Sequence, residues 1–144
     1  MITIGKEEHD AASKVLKSGQ LSFFLGEISK DFLGGKNVKK FEAKIAKFYN
    51  VKHAIAVNSW TSGLVCAVGA LALKPGDEII LPTWTMTACS SAILHWNYIP
   101  VFADIDSNTF NISPKSIVKK ITKRTKAIMA VDIFGYPSNI IEIK

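Results

Sequence analysis

The 144-residue sequence predicts an α/β fold, a mostly parallel sheet covered by helices on both faces. Short apolar runs of strand length, such as Glu78-Ile79-Ile80-Leu81 and Ile99-Pro100-Val101-Phe102-Ala103, alternate with stretches of helical periodicity. Runs that are apolar almost throughout suit strands buried on both faces, the arrangement that βαβ units build. A chain that is 48% hydrophobic and 21% charged has the means to bury a core of one globular domain.

Residues 6–17 read as an N-terminal helix, closed by Ser18-Gly19, and the irregular stretch with Gly26, Gly34 and Gly35 reads as an arm. Asn37 caps a helix that runs to about residue 50, and residues 53–57 read as the first strand. From Thr61 the positions Leu64, Val65, Val68 and Leu71 have helical spacing, and Lys74-Pro75-Gly76-Asp77 is a helix stop and turn in one. Residues 78–81 form the second strand, 87–95 a helix, 99–103 the third strand, and 104–108 a turn. A short helix over 114–121, a fourth strand over 126–133 and the start of a capped helix after Ser138-Asn139 complete the order. The domain boundary expected from this pass divides a helix and arm, 1–36, from an incomplete large domain, 37–144.

Composition excludes several classes. Apolar runs stop well short of the ~20 residues that span a bilayer, and no leader pattern opens the chain, so a cytoplasmic protein without a membrane partner is expected. The net charge of +6 comes from 18 basic residues of which only Arg124 is arginine. Lys36, Lys39, Lys40, Lys44 and Lys47 lie largely opposite Val38, Phe41, Ile45 and Phe48, the pattern of a solvated helix face and not of a nucleic-acid footprint. Cys66 and Cys89 sit in apolar helical patterns, and His9, His53 and His95 lack metal-ligand spacing, so neither a disulfide framework nor a metal site is expected.

The most informative stretch is Ala56-Val57-Asn58-Ser59-Trp60-Thr61-Ser62-Gly63-Leu64, an apolar run that breaks into a polar turn and then a helix. The first N–H groups of a helix have no internal acceptor and carry the positive end of its dipole, so Ser59, Trp60, Thr61 and Ser62 suit a phosphate. Simple capping by Asn58 and Ser59 is the commoner use of such residues. In a parallel sheet, ligands collect outside the carboxyl ends of the strands, where Trp84 and Met86 also fall. Taken alone, a tryptophan such as Trp84 is more often a packed loop anchor than a platform for a ring. Together the two loops point to a phosphorylated, flat-ringed ligand.

The order of motifs along nearly the whole chain resembles the pyridoxal-phosphate-dependent sugar aminotransferases of the DegT/DnrJ/EryC1/StrS group. The matching pieces are Val38-Lys39-Lys40-Phe41-Glu42 with Ala46-Lys47-Phe48-Tyr49, the Ala56-to-Leu64 stretch, Lys74-Pro75-Gly76-Asp77-Glu78-Ile79-Ile80-Leu81-Pro82 with Thr85, and Ile99-Pro100-Val101-Phe102-Ala103-Asp104-Ile105-Asp106. Ile121-Thr122-Lys123-Arg124-Thr125-Lys126-Ala127-Ile128 and Phe134-Gly135-Tyr136-Pro137 follow. The resemblance implies the N-terminal part of the large domain of the aspartate aminotransferase-like fold type I, with pyridoxal 5'-phosphate as cofactor. It implies a nucleotide-linked keto sugar as substrate, a glutamate-type amino donor, and a homodimer with shared active sites to which the arm contributes.

On this chain the resemblance assigns the cofactor phosphate to Ser59, Trp60, Thr61 and Ser62. Relatives often place an aromatic residue on the pyridine ring where this chain has Met86, so the ring-facing role is open between Met86 and Trp84. Many relatives carry histidine at the position of Asp132. Asp104 and Asp106 match the group, but their expected role is to cap the following turn. In such relatives the lysine that holds the cofactor covalently, and the carboxylate on its pyridine nitrogen, lie beyond the position of residue 144. No lysine here stands where one would serve, so the expectation is an N-terminal portion of a longer enzyme, inactive alone. A non-catalytic phosphate- or nucleotide-binding remnant, and a portion of a related sugar dehydratase, are the alternatives.

Overall fold

The computed structural model describes residues 3–29 and 32–144. It divides into two compact units, one within residues 1–56 and one over 57–144. Of the arm expected over 1–36, residues 1, 2, 30 and 31 lie outside the described residues.

In the first unit, α1 (Lys6–Ser18) starts at Gly5, whose N–H donates to Glu8 Oε2 at 2.7 Å, and ends at Gly19 in the left-handed conformation. The second helix, α2 (Lys36–Phe48), begins just after Gly35, two residues before the expected Asn37 cap. Its lysines are exposed as expected, while Val38 and Ile45 are half-buried and Phe41 and Phe48 are exposed.

The strand expected over 53–57 does not form. A strand needs a ladder, and here the Ala56 N–H donates instead to the Glu42 carboxylate at 2.8 Å, while Ile55 is 82% exposed. The short apolar run is present in the sequence without the partner that would turn it into a strand.

The second unit carries the sheet. It opens on α3 (Trp60–Gly69), followed by β1 (Glu78–Pro82), α4 (Thr87–His95), β2 (Ile99–Ala103), α5 (Pro114–Lys120), β3 (Thr125–Ile128), a short 3₁₀ turn over Ile133–Gly135, and α6 (Ile140–Ile143). The sheet is parallel, in the order β2-β1-β3, with Ile79 opposite Pro100 and Ala127. All five residues of the central strand are buried. Side chains alternate across it. Ile79 and Leu81 join Leu64 and Val68 of α3 and Ala88, Cys89, Ala92 and Ile93 of α4 on one face. Ile80 joins Ala103, Ile112 and Ile117 of α5 on the other, with Ile143 of α6 packed against them. Helices therefore cover both faces, as the sequence predicts.

Two boundaries differ from expectation. Helix α3 ends at Gly69, four residues early, because its last turn tightens into Leu71 N–H to Val68 O and Ala72 N–H to Gly69 O bonds. The fourth expected strand is cut to Thr125–Ile128. Its pairing runs on only to Met129, whose N–H donates to Ile80 O at 2.7 Å, and β1 itself ends at Pro82. No helix among the described residues is long and apolar enough to cross a membrane.

Candidate functional site

Helices α3 and α4 run in the same direction. Leu64, Ala88 and Cys89, each in the first or second turn of its helix, share one cluster with Leu81 near the end of β1. At the other end, the Trp96 ring just after α4 lies on Gly69, the last residue of α3, where any Cβ would fall inside the ring. Trp96 Nε1 also donates to Val65 O at 2.8 Å. Both N-termini thus open at the carboxyl end of the sheet, where a parallel sheet collects ligands.

At the N-terminus of α3, Ser59 is in extended conformation and its Oγ accepts from the Ser62 N–H at 3.1 Å. The Ser59 and Ser62 hydroxyls lie 3.1 Å apart. The N–H groups of Trp60 and Thr61, first in the helix, have no carbonyl one turn earlier to bond, and the dipole is positive there. Gly63 lets the Trp60 ring lie close: a Cβ would sit 3.0 Å from its Cε3. The ring is nonetheless 74% exposed, so its backbone contributes more to the turn than its side chain does to the core.

After β1, Trp84 and Met86 line a cavity of about 320 Å³ together with Thr83, Thr85 and Ile133. Trp84 and Met86 are both exposed, at 52% and 73%, so both present apolar surface to it. Thr85 Oγ1 lies 3.3 Å from the Cys89 thiol, which ties the loop to α4. Trp84 also meets Phe110, with ring centroids 6.0 Å apart, and Phe110 meets Phe134 edge-on at 6.4 Å. The sequence alone gives no site role to Phe110 or Ile133, and marks Phe134 only as part of a matching motif. Phe110 and Phe134 both stand at positive φ, 61° and 53°, which local propensity does not foretell for a bulky side chain.

The acidic residues divide by role. Asp106 Oδ1 accepts from the Asn108 N–H at 2.9 Å and the Thr109 N–H at 3.0 Å, and these bonds hold its carboxyl below the usual aspartate range, so it caps its turn as expected. Asp104 braces the same turn through its backbone, its carbonyl accepting from Ser113 and its N–H donating to Ser116 Oγ. Asp132 accepts from the Ser138 N–H at 2.9 Å, which lowers its pKa and uses one oxygen to close the loop from 132 to 138.

The cradle is one that a phosphorylated ring fits: a hydroxyl-capped helix N-terminus for the anion, and an apolar cavity with an indole, a thioether and an aliphatic wall for the ring. Known proteins resemble this chain over the same residues. The model of the DegT/DnrJ/EryC1/StrS aminotransferase family matches residues 3–144. The spore coat polysaccharide biosynthesis protein SpsC of Bacillus subtilis is 41% identical over 132 residues, covering 92% of this chain and 31% of that protein. GDP-perosamine synthase of Vibrio cholerae is 41% identical over 106 residues, 74% of this chain and 29% of that one. Among solved structures, an aminotransferase from Psychrobacter cryohalolentis aligns with TM-score 0.85 at 33% identity, covering 99% of this chain and 34% of that one. An E. coli GDP-4-keto-6-deoxy-D-mannose-3-dehydratase with bound hydrated PLP aligns with TM-score 0.85 at 31% identity, covering 99% and 36%. The chain spans about a third of the length of these relatives. Its fold is that of the fold type I aminotransferases, and the chain belongs to the DegT/DnrJ/EryC1/StrS aminotransferase family.

Proposed function

We propose that this chain supplies the cofactor-phosphate and ring-facing part of a pyridoxal 5'-phosphate-dependent aminotransferase that acts on a nucleotide-linked keto sugar with a glutamate-type amino donor. The observations that carry the reading are the Ser59-capped N-terminus of α3 and the Trp84 and Met86 cavity in the loop that follows the carboxyl end of β1. Pyridoxal phosphate, when bound, supplies the electron sink that lets an amino group pass from donor to keto carbon.

This chain's residues bind and orient. The N–H groups of Trp60 and Thr61 and the hydroxyls of Ser59 and Ser62 hold the phosphate, with the dipole of α3 behind them. Trp84 or Met86 packs on one face of the ring, and Ile133 adds an aliphatic side to the cavity. The covalent lysine and the carboxylate on the ring nitrogen are not assigned to any residue of this chain.

Self-association as a homodimer belongs to the same proposal, supported by the exposed Phe41 and Phe48 of α2. A cytoplasmic location is proposed with it, supported by the unpaired thiols of Cys66 and Cys89. A sugar dehydratase is the second reading, favoured by a TM-score to the E. coli 3-dehydratase equal to that of the Psychrobacter aminotransferase.

The test is a titration of the chain with pyridoxamine 5'-phosphate followed by tryptophan fluorescence. Saturable quenching that Trp84→Phe diminishes and Ser59→Ala weakens is expected, and the absence of saturable binding overturns the reading. Glutamate and a nucleotide-linked 4-keto sugar, given to the intact enzyme, separate the two activities: an amino sugar product supports the first reading and a deoxy sugar the second.

A further inference from the structure

We propose that Asn111 is a positioning residue that fixes the ring-facing wall of the cofactor cavity, an inference that rests on the function proposed above. Its side chain is 4% exposed and makes two bonds to a single turn. Asn111 Oδ1 accepts from the Ile133 N–H at 3.0 Å, and its Nδ2 donates to Tyr136 O at 2.9 Å. The amide therefore staples both ends of the turn that contains Phe134, at φ 53°, and Gly135, at φ 80°. The turn's own closures are short-range. The Gly135 N–H donates to Asp132 O, the Tyr136 N–H donates to Ile133 O, and the Ile133 N–H is shared with Val131 O.

Asn111 is itself held firmly. Its carbonyl accepts from the Asp106 N–H at 2.9 Å, and the next residue, Ile112, is bridged to Ile105 and buried in the core on the α5 face. The preceding residue, Phe110, has the left-handed backbone that sends its ring towards Trp84 and Phe134 while Asn111 turns inward. A residue with a Cβ adopts that conformation only where its surroundings over-determine it. The loop after β2 thus reaches the loops after β1 and β3 at once, through Phe110 on the outside and Asn111 on the inside. Ile133, the residue whose N–H Asn111 holds, lines the cavity together with the Trp84 to Met86 loop.

The consequence is a division of labour. Asn111 acts on the ring-facing cavity and leaves the phosphate turn at Ser59 untouched, so its loss separates the two. The variant is Asn111→Leu, which keeps the side-chain volume and removes both bonds. Three measurements go together: amide hydrogen exchange at Ile133 and Tyr136, affinity for pyridoxamine 5'-phosphate, and affinity for inorganic phosphate alone. The expected result is faster exchange at both amides, pyridoxamine phosphate binding weakened about tenfold, the scale of losing a buried hydrogen bond, and inorganic phosphate binding unchanged. Equal weakening of both ligands overturns the proposal in favour of a general structural role, and unchanged exchange overturns it outright. If the unaltered chain binds neither ligand, the proposed function fails, and the exchange measurement decides the staple by itself. Should Asn111→Leu not fold, Asn111→Asp retains an acceptor for the Ile133 N–H and lacks the donor to Tyr136. Its pyridoxamine phosphate affinity should then fall while inorganic phosphate binding holds, and an unchanged affinity overturns the proposal.

Discussion

Ser59, Gly69 and Glu78 each carry a consequence out of proportion to their size. Removing the Ser59 cap with Ser59→Ala should cost α3 about 1 kcal/mol, the usual worth of a serine N-cap, and be visible as a lowered melting temperature. At Gly69 the Trp96 indole is pinned by its bond to Val65 O and has nowhere to go. Gly69→Ala is therefore expected to destabilise by about 1 to 3 kcal/mol through overpacking, measured by denaturant unfolding. Glu78, buried at the start of β1, accepts from Thr122 Oγ1 at 2.6 Å and Arg124 Nε at 2.8 Å and pairs with the Arg124 guanidinium at 2.7 Å. The Thr122 bond most of all, with Arg124 and Thr125, holds its carboxyl below the ordinary glutamate value against the opposing effect of burial. A lowered folded pKa means stability that is present above the ordinary glutamate value of about 4.3 and lost as pH falls through the folded one. Melting temperature should drop on acidification below about pH 4.3, and Glu78→Gln should flatten that part of the profile. Among these residues only the Ser59 cap is legible in sequence, because a cap is a local signal. The Asn111 staple is not, since its two partners lie 22 and 25 residues away.

At the scale of elements, the buried strand β1 and helices α1, α4 and α5 stand close to where periodicity puts them, since each is marked by a cap, a stop or an apolar run. The misreading at 53–57 has a different cause. The apolar run at Ala54, Ile55, Ala56 and Val57 marks a segment able to pair, whereas pairing itself depends on a neighbour that local sequence cannot supply. The shortened β3 has the same origin, for β1 stops at Pro82 and offers it no further ladder. The two halves of the candidate site also differed in legibility. Ser59 to Ser62, Trp84 and Met86 were readable from helix and strand ends. Ile133, Phe110 and Phe134 entered through backbone conformations at positive φ and a turn that only the folded loops impose.

At the scale of the molecule, every buried apolar side chain of the core among the described residues, from Leu64 to Ile117, lies in the unit of residues 57–144. That unit expressed alone should keep a cooperative thermal transition with mixed helix and strand circular dichroism, and a gradual, non-cooperative melt would contradict a self-contained core.

The order of strands also carries a history. The central strand meets β2 after a stretch of about twenty residues but meets β3 through contacts such as Glu78 with Thr125 that are 47 residues apart. Closing the longer loop costs about 0.7 kcal/mol more in chain entropy. The β1-α4-β2 unit should therefore assemble first and β3 dock late, after the folding barrier is crossed. Thr122→Ala, which removes the late contact with Glu78 together with the local bond that the Thr122 hydroxyl accepts from the Arg124 N–H, should then hasten unfolding in stopped-flow measurements and leave the folding rate nearly unchanged. The carboxylate buried at the foot of the sheet would on this account act as a latch on the finished molecule, setting how long it stays folded and contributing little to how fast it gets there.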